Sequence, residues 1–428
     1  MLESAQTRTL RRLFEVALER VDPHRCLASA LPEPPQTGRL ILLAAGKAAA
    51  AMAQAAERHY LERGDAAALE GIAAPRRGFY LPTRIVQLIE AGHPIPDDNS
   101  LAAADRALEL AHAATPDDLV LVLLSGGASA LWTAPAAGVA LEEQQAITRQ
   151  LLACGAPIGE INCVRKHLSR IKGGRLAQAA HPARIVTLAI SDVAGDDPTV
   201  IGSGPTVGDP TTLEDAIGVL ETHRVPISPG VQKALAEPQN ETPTADDPVF
   251  AGDTYRIIAR ASDALAAAAS AAQAMGYEPH LLGDALEGEA RALARQHAKL
   301  ARELKSKGGR AVLLSGGEAT VNVKGSGSGG PNQEYALALA VALQAAPGVW
   351  ALAADTDGND GGSGAPTDPA GAMVEPETLA RAAAAGLDPQ MFLENNDSTS
   401  FFARLGDLLI TGPTFTNVND FRAILVEA

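Results

Sequence analysis

Short runs made almost wholly of Leu, Val, Ile and Ala alternate along the chain with Ala-rich stretches whose apolar positions recur at helical spacing. A strand buried on both faces loses the in-out alternation of an exposed one, so this rhythm predicts βαβ units around a mostly parallel sheet. The clearest pair is a strand over residues 40–45 followed by a helix over 47–60. Further strands are predicted at 85–91, 119–124 and 184–190, with helices at 101–113 and 141–153 between them. The rhythm stops at 225–253, where VPISPGVQKALAEPQNETPTADDPVFAGD gathers prolines, acidic residues and threonines. It resumes with strands at 255–259, 278–282 and 310–314, a helix capped by Ser262 or Asp263, and a helix over 287–305.

At 428 residues the chain exceeds what one hydrophobic core organises. The expectation is therefore an α/β protein of two domains with a cleft between them. Residues 1–240 form a doubly wound, Rossmann-like, mostly parallel sheet, and residues 241–428 form a second α/β domain. The formal charge of −16 gives no reason to approach a nucleic-acid backbone, so an anionic substrate needs a local basic pocket. Cys26, Cys154 and Cys163 are odd in number and form no C-x-x-C pair, which reads as free thiols in a reducing compartment. The N-terminal MLESAQTRTLRRLFEVALERV is an amphipathic charged helix without the apolar core of a signal peptide. No apolar run has membrane-spanning length. Cytoplasmic location without a membrane partner is the expectation.

In such sheets ligands gather beyond the carboxyl ends of strands, where loops lead into helix N-termini. Gly46-Lys47 follows the first strand, and a lysine in the first helical turn opposes the helix dipole. An anionic ligand explains it better than helix stability does. It is not a Walker lysine, because that motif would need glycine at Ile41 and a hydroxyl at Ala48. Two Ser-Gly-Gly turns, Ser125-Gly126-Gly127 and Ser315-Gly316-Gly317, follow apolar strands and let backbone amides approach a phosphate or carboxylate. Arg165, Lys166, His167, Arg170, Lys172 and Arg175 make the one dense basic cluster, and on a helix they would span several faces. Asp192 ends another strand and precedes Asp196, Asp197, Gly202 and Gly204, a setting suited to Mg²⁺ or to a hydroxyl nucleophile. Asp355, Asp357 and Asp360 repeat that arrangement after residues 349–354. Asp360 and Pro366 exclude an EF-hand there, since they stand where its glycine and bidentate glutamate belong.

Gly325, Gly327 and Gly330 satisfy G-x-G-x-x-G, and Asp355 closes the next strand as a dinucleotide fold would require. The preceding TVNVK alternates like an exposed strand, against that reading.

Taken in order, GK at 46–47, GHPIPDDNS at 92–100, LLSGGASAL at 123–131, INCVRKHLSRIKGGRLA, SDVAGDDPTVIGSGPT, LLSGGEATV, GGPNQEYALALA, DTDGNDG and ITGPTFTNVND resemble the glycerate 2-kinase family, from about residue 10 to 425. Its members pair an N-terminal glycerate kinase domain with a C-terminal MOFRL domain. The resemblance implies ATP-dependent phosphorylation of D-glycerate at its 2-hydroxyl with Mg²⁺, and Lys47 matches the family's active-site lysine. On this reading Lys47, with Arg165 or Lys166, meets the glycerate carboxylate or the transferring phosphoryl, and Asp192 orients or deprotonates the hydroxyl. Ser315–Gly317, Gly325, Gly327, Gly330 and Asn332 cradle ATP phosphates. Asp355 and Asp357 hold Mg²⁺ or cap turns. A homodimer is a further possibility. Two departures stand out. Ser328 and Pro331 occupy a loop where relatives carry a basic residue, and Phe415 replaces a usual glycine. The rival readings are a hydroxypyruvate reductase using NAD(P)H and a non-catalytic regulator binding a nucleotide or sugar acid.

Overall fold

Leu40–Ala45 is strand β1, buried at every position. It lies between β2 (Leu69–Ala74) and β4 (Leu119–Leu124), in parallel with both. Strand β3 (Gln87–Leu88) pairs in parallel with β2, β5 (Arg184–Ile190) pairs in parallel with β4, and β6 (Thr254–Ala259) adds the outer edge. The order is β3-β2-β1-β4-β5-β6. The chain winds outward from β1 to β3 and then returns to the other side of β1, which makes the gap between the carboxyl ends of β1 and β4 a topological switch point. The computed structural model describes residues 4–65, 68–362 and 364–428, so the first three residues of the expected N-terminal helix lie outside the described ones.

The strands at 40–45, 119–124 and 184–190 match the sequence expectation residue for residue. The one expected at 85–91 shrinks to two residues, because the amides of Arg84, Ile85 and Val86 bond the buried Glu57 carboxylate at 2.6 to 2.9 Å instead of a neighbouring strand. Helix Ala49–Arg63 buries Ala49 to Ala53 completely, and small side chains there let it lie close to the sheet. Helix Asp98–His112 starts with a capping box between Asp97 and Ser100.

The second sheet is mixed. Strand β8 (Arg310–Thr320) runs parallel to β7 (Glu278–Glu289) and antiparallel to β12 (Asp420–Glu427). Strand β12 is antiparallel to β9 (Val349–Asp355), β10 (Gly371–Val374) to β9, and β11 (Leu408–Leu409) to β10. Helix Pro331–Leu343, buried along most of its length, packs in its core. The Ser315-Gly316-Gly317 segment, expected to be a turn, lies instead inside β8. Ser315 pairs with Arg422 on one side and Gly283 on the other. Gly317 sits at φ +103°, and a Cβ there would overlap the backbone of Leu286. This glycine serves a close strand contact.

The chain divides into two compact units, Cys26–Ile258 and a discontinuous one joining the residues up to Arg25 with Ala259–Ala428. The first helix, Ala5–Val21, therefore belongs with the second sheet. It buries Leu10, Leu13, Phe14, Ala17 and Val21, with the Phe14 ring 5.5 Å from that of Phe421. Full burial of each large side chain of that stripe is worth about 1.5–3 kcal/mol. Gln6 Nε2 also donates to Glu427 at 2.9 Å, and Thr416 Oγ1 donates to the Val21 carbonyl at 2.7 Å. The irregular stretch after residue 225 stays with the first unit. Asp253 accepts from Ile185 N at 2.7 Å, and β6 extends the sheet.

Candidate functional site

At the switch point the ends of β1 and β4 are stitched together by the loops themselves. Lys47 N donates to Gly126 O at 2.8 Å, and Ala48 N donates to Ser125 Oγ at 2.9 Å. Gly46 holds φ +129°, and a side chain there would fall on Ser125 Oγ, so only glycine allows this approach. The N–H groups of Gly126 and Gly127 have no partner among the described residues, Gly126 being buried and Gly127 half-buried. Gly127 is also where Lys47 and His93 meet. A methyl on it would lie 2.9 Å from His93 Cδ2 and 3.5 Å from Lys47 Cγ.

The chain leads on from this corner into a cavity of about 280 Å³ whose lining includes Pro94, Ser129, Thr133, Arg165 and Lys172. Lys172 is 2% exposed, and its ammonium donates to the carbonyls of Ser129 at 2.6 Å and Trp132 at 2.7 Å. Arg165 makes only two long contacts, to Asn162 Oδ1 and Ser129 O, both at 3.4 Å. Neither cation has an ion pair among the described residues. Burial and then the charge of Arg165 push the Lys172 ammonium well below its ordinary value, and burial lowers the Arg165 guanidinium. One buried cation and one half-buried cation, neither facing a carboxylate among the described residues, make an arrangement that can accept an anion.

The basic cluster is not one helix. Helix Ile158–His167 ends before the irregular 168–174 segment, and Arg175 opens a separate short helix. Successive residues face different ways. Arg165 reaches the cavity, whereas Lys166 Nζ is sealed against Asp209 Oδ1 at 3.1 Å. His167 bonds Cys163 O, Glu241 and Thr242. Arg170 reaches Asp105 and the Pro135 carbonyl. Of the two residues expected to support Lys47, the cavity receives Arg165 and not Lys166. It also receives Lys172, which spacing alone could not single out, because its loop has no periodicity.

Asp192 leaves the carboxyl end of β5, next to β4 in the sheet, so Lys47, Ser125–Gly127 and Asp192 emerge from one edge on three adjacent parallel strands. The loop that follows returns to the site through Ser203, whose Oγ lies 2.6 Å from Ser129 Oγ.

In the other unit the glycine loop is already occupied by protein. The amides of Lys324 and Gly325 bond Asn396 Oδ1, that of Ser326 bonds Asn395 Oδ1, that of Gly327 bonds Asn395 O and that of Ser328 bonds Asp397 Oδ1, all at 2.8 to 3.1 Å. Residues 321–324 form no strand. The expected phosphate cradle at Gly325 and Gly327 therefore has its donors spent, and the G-x-G-x-x-G match lacks the strand-to-helix setting of a dinucleotide site. Gly330 packs against Asp360, where a Cβ would overlap the Asp360 carbonyl. Asn332 is fully buried and donates to Asp360 Oδ1 at 3.1 Å and Asp420 Oδ1 at 2.5 Å. Asp420 in turn pairs with the buried Arg422, whose guanidinium also donates to Gly316 O at 3.1 Å and lies over the Tyr335 ring. Burial raises the Asp360 carboxyl to about 6, against the donors of Asn332 and Gln333. Asp355 Oδ1 caps the amide of Asp357, and Asp357 Oδ1 caps that of Asn359, both at 2.8 Å. Among the described residues no group of three His, Cys, Asp or Glu is arranged to hold a metal ion, and no helix is long and apolar enough to cross a membrane.

Residues 9–236 match a domain of unknown function, DUF4147, and residues 311–420 match the MOFRL family. A protein of Agrobacterium vitis named "Putative hydroxypyruvate reductase" is 47% identical over 97% of this chain and 94% of its own length. The D-glycerate 2-kinase of Thermotoga maritima is 42% identical over 95% of either chain. The crystal structure of glycerate kinase from Thermotoga maritima superposes with a TM-score of 0.86 at 40% identity, covering 98% of this chain and 99% of that one.

Proposed function

Because the chain belongs to the glycerate 2-kinase family, we propose that it transfers the γ-phosphoryl group of ATP to the 2-hydroxyl of D-glycerate, giving 2-phosphoglycerate and ADP. The observation that carries this reading is the meeting of Lys47 and His93 at Gly127, close along the chain to a cavity lined by Arg165 and Lys172, which have no ion pair among the described residues. A small carboxylate that must present one hydroxyl needs such an arrangement: a charge to grip it, and a second cation where phosphoryl charge develops.

Phosphoryl transfer demands positioning and charge neutralisation more than covalent help. In this assignment Arg165 binds the acceptor carboxylate, and the Lys47 ammonium with the amides of Gly126 and Gly127 meets the transferring phosphoryl oxygens. Asp192, from the adjacent strand end, orients the hydroxyl and takes its proton. Mg²⁺ is held in such reactions by one or two carboxylates together with phosphate oxygens, which suits Asp192 or the pair Asp355 and Asp357 better than an all-protein cage. When bound it neutralises phosphate charge. A cytoplasmic setting accords with three free thiols, Cys26, Cys154 and Cys163.

The name of the Agrobacterium vitis relative favours a second reading, reduction of hydroxypyruvate. A dinucleotide needs free amides for its pyrophosphate, and those of residues 324–328 are bonded to Asn395, Asn396 and Asp397. Purified protein with D-glycerate and ATP should release ADP, with the phosphorus bonded at carbon 2 by NMR. Oxidation of NADH or NADPH with hydroxypyruvate and no ADP release would replace this reading with the reductase.

A further inference from the structure

Away from the switch point, three side chains of the first unit stand in a file of thiol, imidazole and carboxylate. Cys154 Sγ lies 3.4 Å from His223 Nδ1, and His223 Nε2 lies 2.6 Å from Glu160 Oε2. Cys154 ends helix Leu141–Ala153, His223 ends helix Leu213–Thr222, and Glu160 stands in the first turn of helix Ile158–His167. One core cluster that includes Leu151, Ile161 and Leu220 joins the three helices, so the file rests on packed elements. The backbone fixes two of its members as well. Cys154 N donates to Gln150 O at 3.0 Å, and His223 N donates to Val219 O at 3.1 Å.

An ionised carboxylate only accepts hydrogen bonds, so Glu160 keeps the hydrogen of a neutral His223 ring on Nε2. Nδ1 is left as an acceptor on the side of the thiol. A nucleophile, a base within its reach and a third group that orients the base are the arrangement that activates a thiol. The sulfur is also accessible. Cys154 is exposed, Cys26 is half-buried and Cys163 is buried. Beside Cys154, the position of a side chain on Gly155 is open space. At Cys163, by contrast, burial pushes the thiol up, which keeps it inert. An exposed sulfur meets reactants that arrive from solvent. A small disulfide reaches it there, and exchange at a disulfide develops no oxyanion that a pocket would have to stabilise.

We propose that Cys154 is a thiolation site whose co-reactant is a low-molecular-weight disulfide, with His223 taking the thiol proton and Glu160 as the positioning residue that fixes the imidazole. In this step Cys154 Sγ bonds to one sulfur of the disulfide, and the bond between that sulfur and its partner breaks. The departing sulfur keeps the electron pair, receives the proton that His223 took and leaves as a thiol. Cys154 is oxidised to a mixed disulfide while the small disulfide is reduced, and excess thiol reverses the exchange.

The test incubates the full chain with oxidised glutathione at neutral pH and follows the gain of a glutathionyl group at each cysteine by peptide mass spectrometry. An ordinary thiol is only a few per cent thiolate at neutral pH, so a base that takes its proton speeds exchange by about tenfold. Cys154 should react at least about tenfold faster than Cys26 or Cys163. His223→Gln should slow Cys154 about tenfold, and Glu160→Gln about threefold. Both differences should vanish in denaturant, where the file is dispersed. At a pH where the ring is neutral, nitrogen chemical shifts should place the His223 hydrogen on Nε2. Faster thiolation of Cys26 or Cys163, equal Cys154 rates in the parent and His223→Gln, or a hydrogen on Nδ1 would overturn the proposal. Should Cys163 become rapidly thiolated in His223→Gln, that variant has lost its fold, and Glu160→Gln together with the ring shifts decides the matter.

Discussion

Lys166 and Asp209 face each other at 3.1 Å with both side chains out of water, one residue away from Arg165, which has no acidic partner among the described residues. Asp209 also accepts from Thr211 N and Oγ1 and from Thr242 Oγ1, so the pair ties helix Ile158–His167 to two loops. Breaking a buried pair from one side leaves a desolvated charge and costs about 3–5 kcal/mol. Lys166→Met should therefore lower the urea midpoint sharply, whereas Arg165→Gln should spare the midpoint and raise KM for D-glycerate. Normal stability with lost turnover in Lys166→Met would return Lys166 to the substrate site.

Lys47 carries the strongest kinetic expectation. Its backbone is held by Gly126 O, independently of its ammonium, so Lys47→Ala should keep the fold and lower kcat/KM by about two orders of magnitude or more. Single-turnover rates with saturating ATP would locate the loss. A variant within about threefold of the parent would remove Lys47 from the transition state.

Gly46→Ala should be damaging without touching any charged group. The added methyl would fall on Ser125 Oγ and force β1 and β4 apart at the switch point. Strain of this kind costs about 1–3 kcal/mol and should also displace the Gly126 and Gly127 amides. Thermal melting and activity measured on the same sample should fall together. Unchanged values in both would mean that the two strand ends can separate at no cost.

His297 supplies a pH signature for the second unit. Its ring is buried, lies 2.7 Å from Tyr335 Oη and sits near Arg422; burial and then that charge lower its pKa to about 4. The unfolded chain takes up a proton at about 6.5, so between about 4 and 6.5 it binds more protons than the folded chain does. Stability is then fully present above about pH 6.5 and falls as the pH drops toward 4, by about 2–3 kcal/mol for this group. Denaturant midpoints across pH 4 to 7 should fall less steeply in His297→Gln than in the parent.

The parallel strands were legible because burial on both faces leaves an uninterrupted apolar run, as in LILLAA and LVLVLL. The position of Lys47 and of the first Ser-Gly-Gly at strand ends was legible for the same reason, since each follows such a run directly. The second Ser-Gly-Gly has the same local pattern yet lies inside β8, because its conformation is decided by β7 and β12. Sequence alone also could not tell Arg165 from Lys166. They are neighbours on a helix, and which one meets an acid depends on Asp209, far along the chain. The surroundings of the glycine loop were hidden similarly, since the amides of residues 324–328 are answered by residues about seventy positions later, Asn395 to Asp397.

The pairing of the first helix with the last strand sets an order of events during synthesis. Gln6 and Glu427 are 421 residues apart, a distance a ribosome covers in roughly 20 to 80 s. The segment from Cys26 to Ile258 can complete its own sheet in that interval. The first helix packs mainly against helix Ala261–Ala274, which emerges soon after that segment, and its Phe14 ring waits for Phe421 on β12. Between those two moments the nascent chain carries one aromatic face of its first helix uncovered beside a finished sheet, and a chain that ends before Phe421 leaves Phe14 without its ring partner.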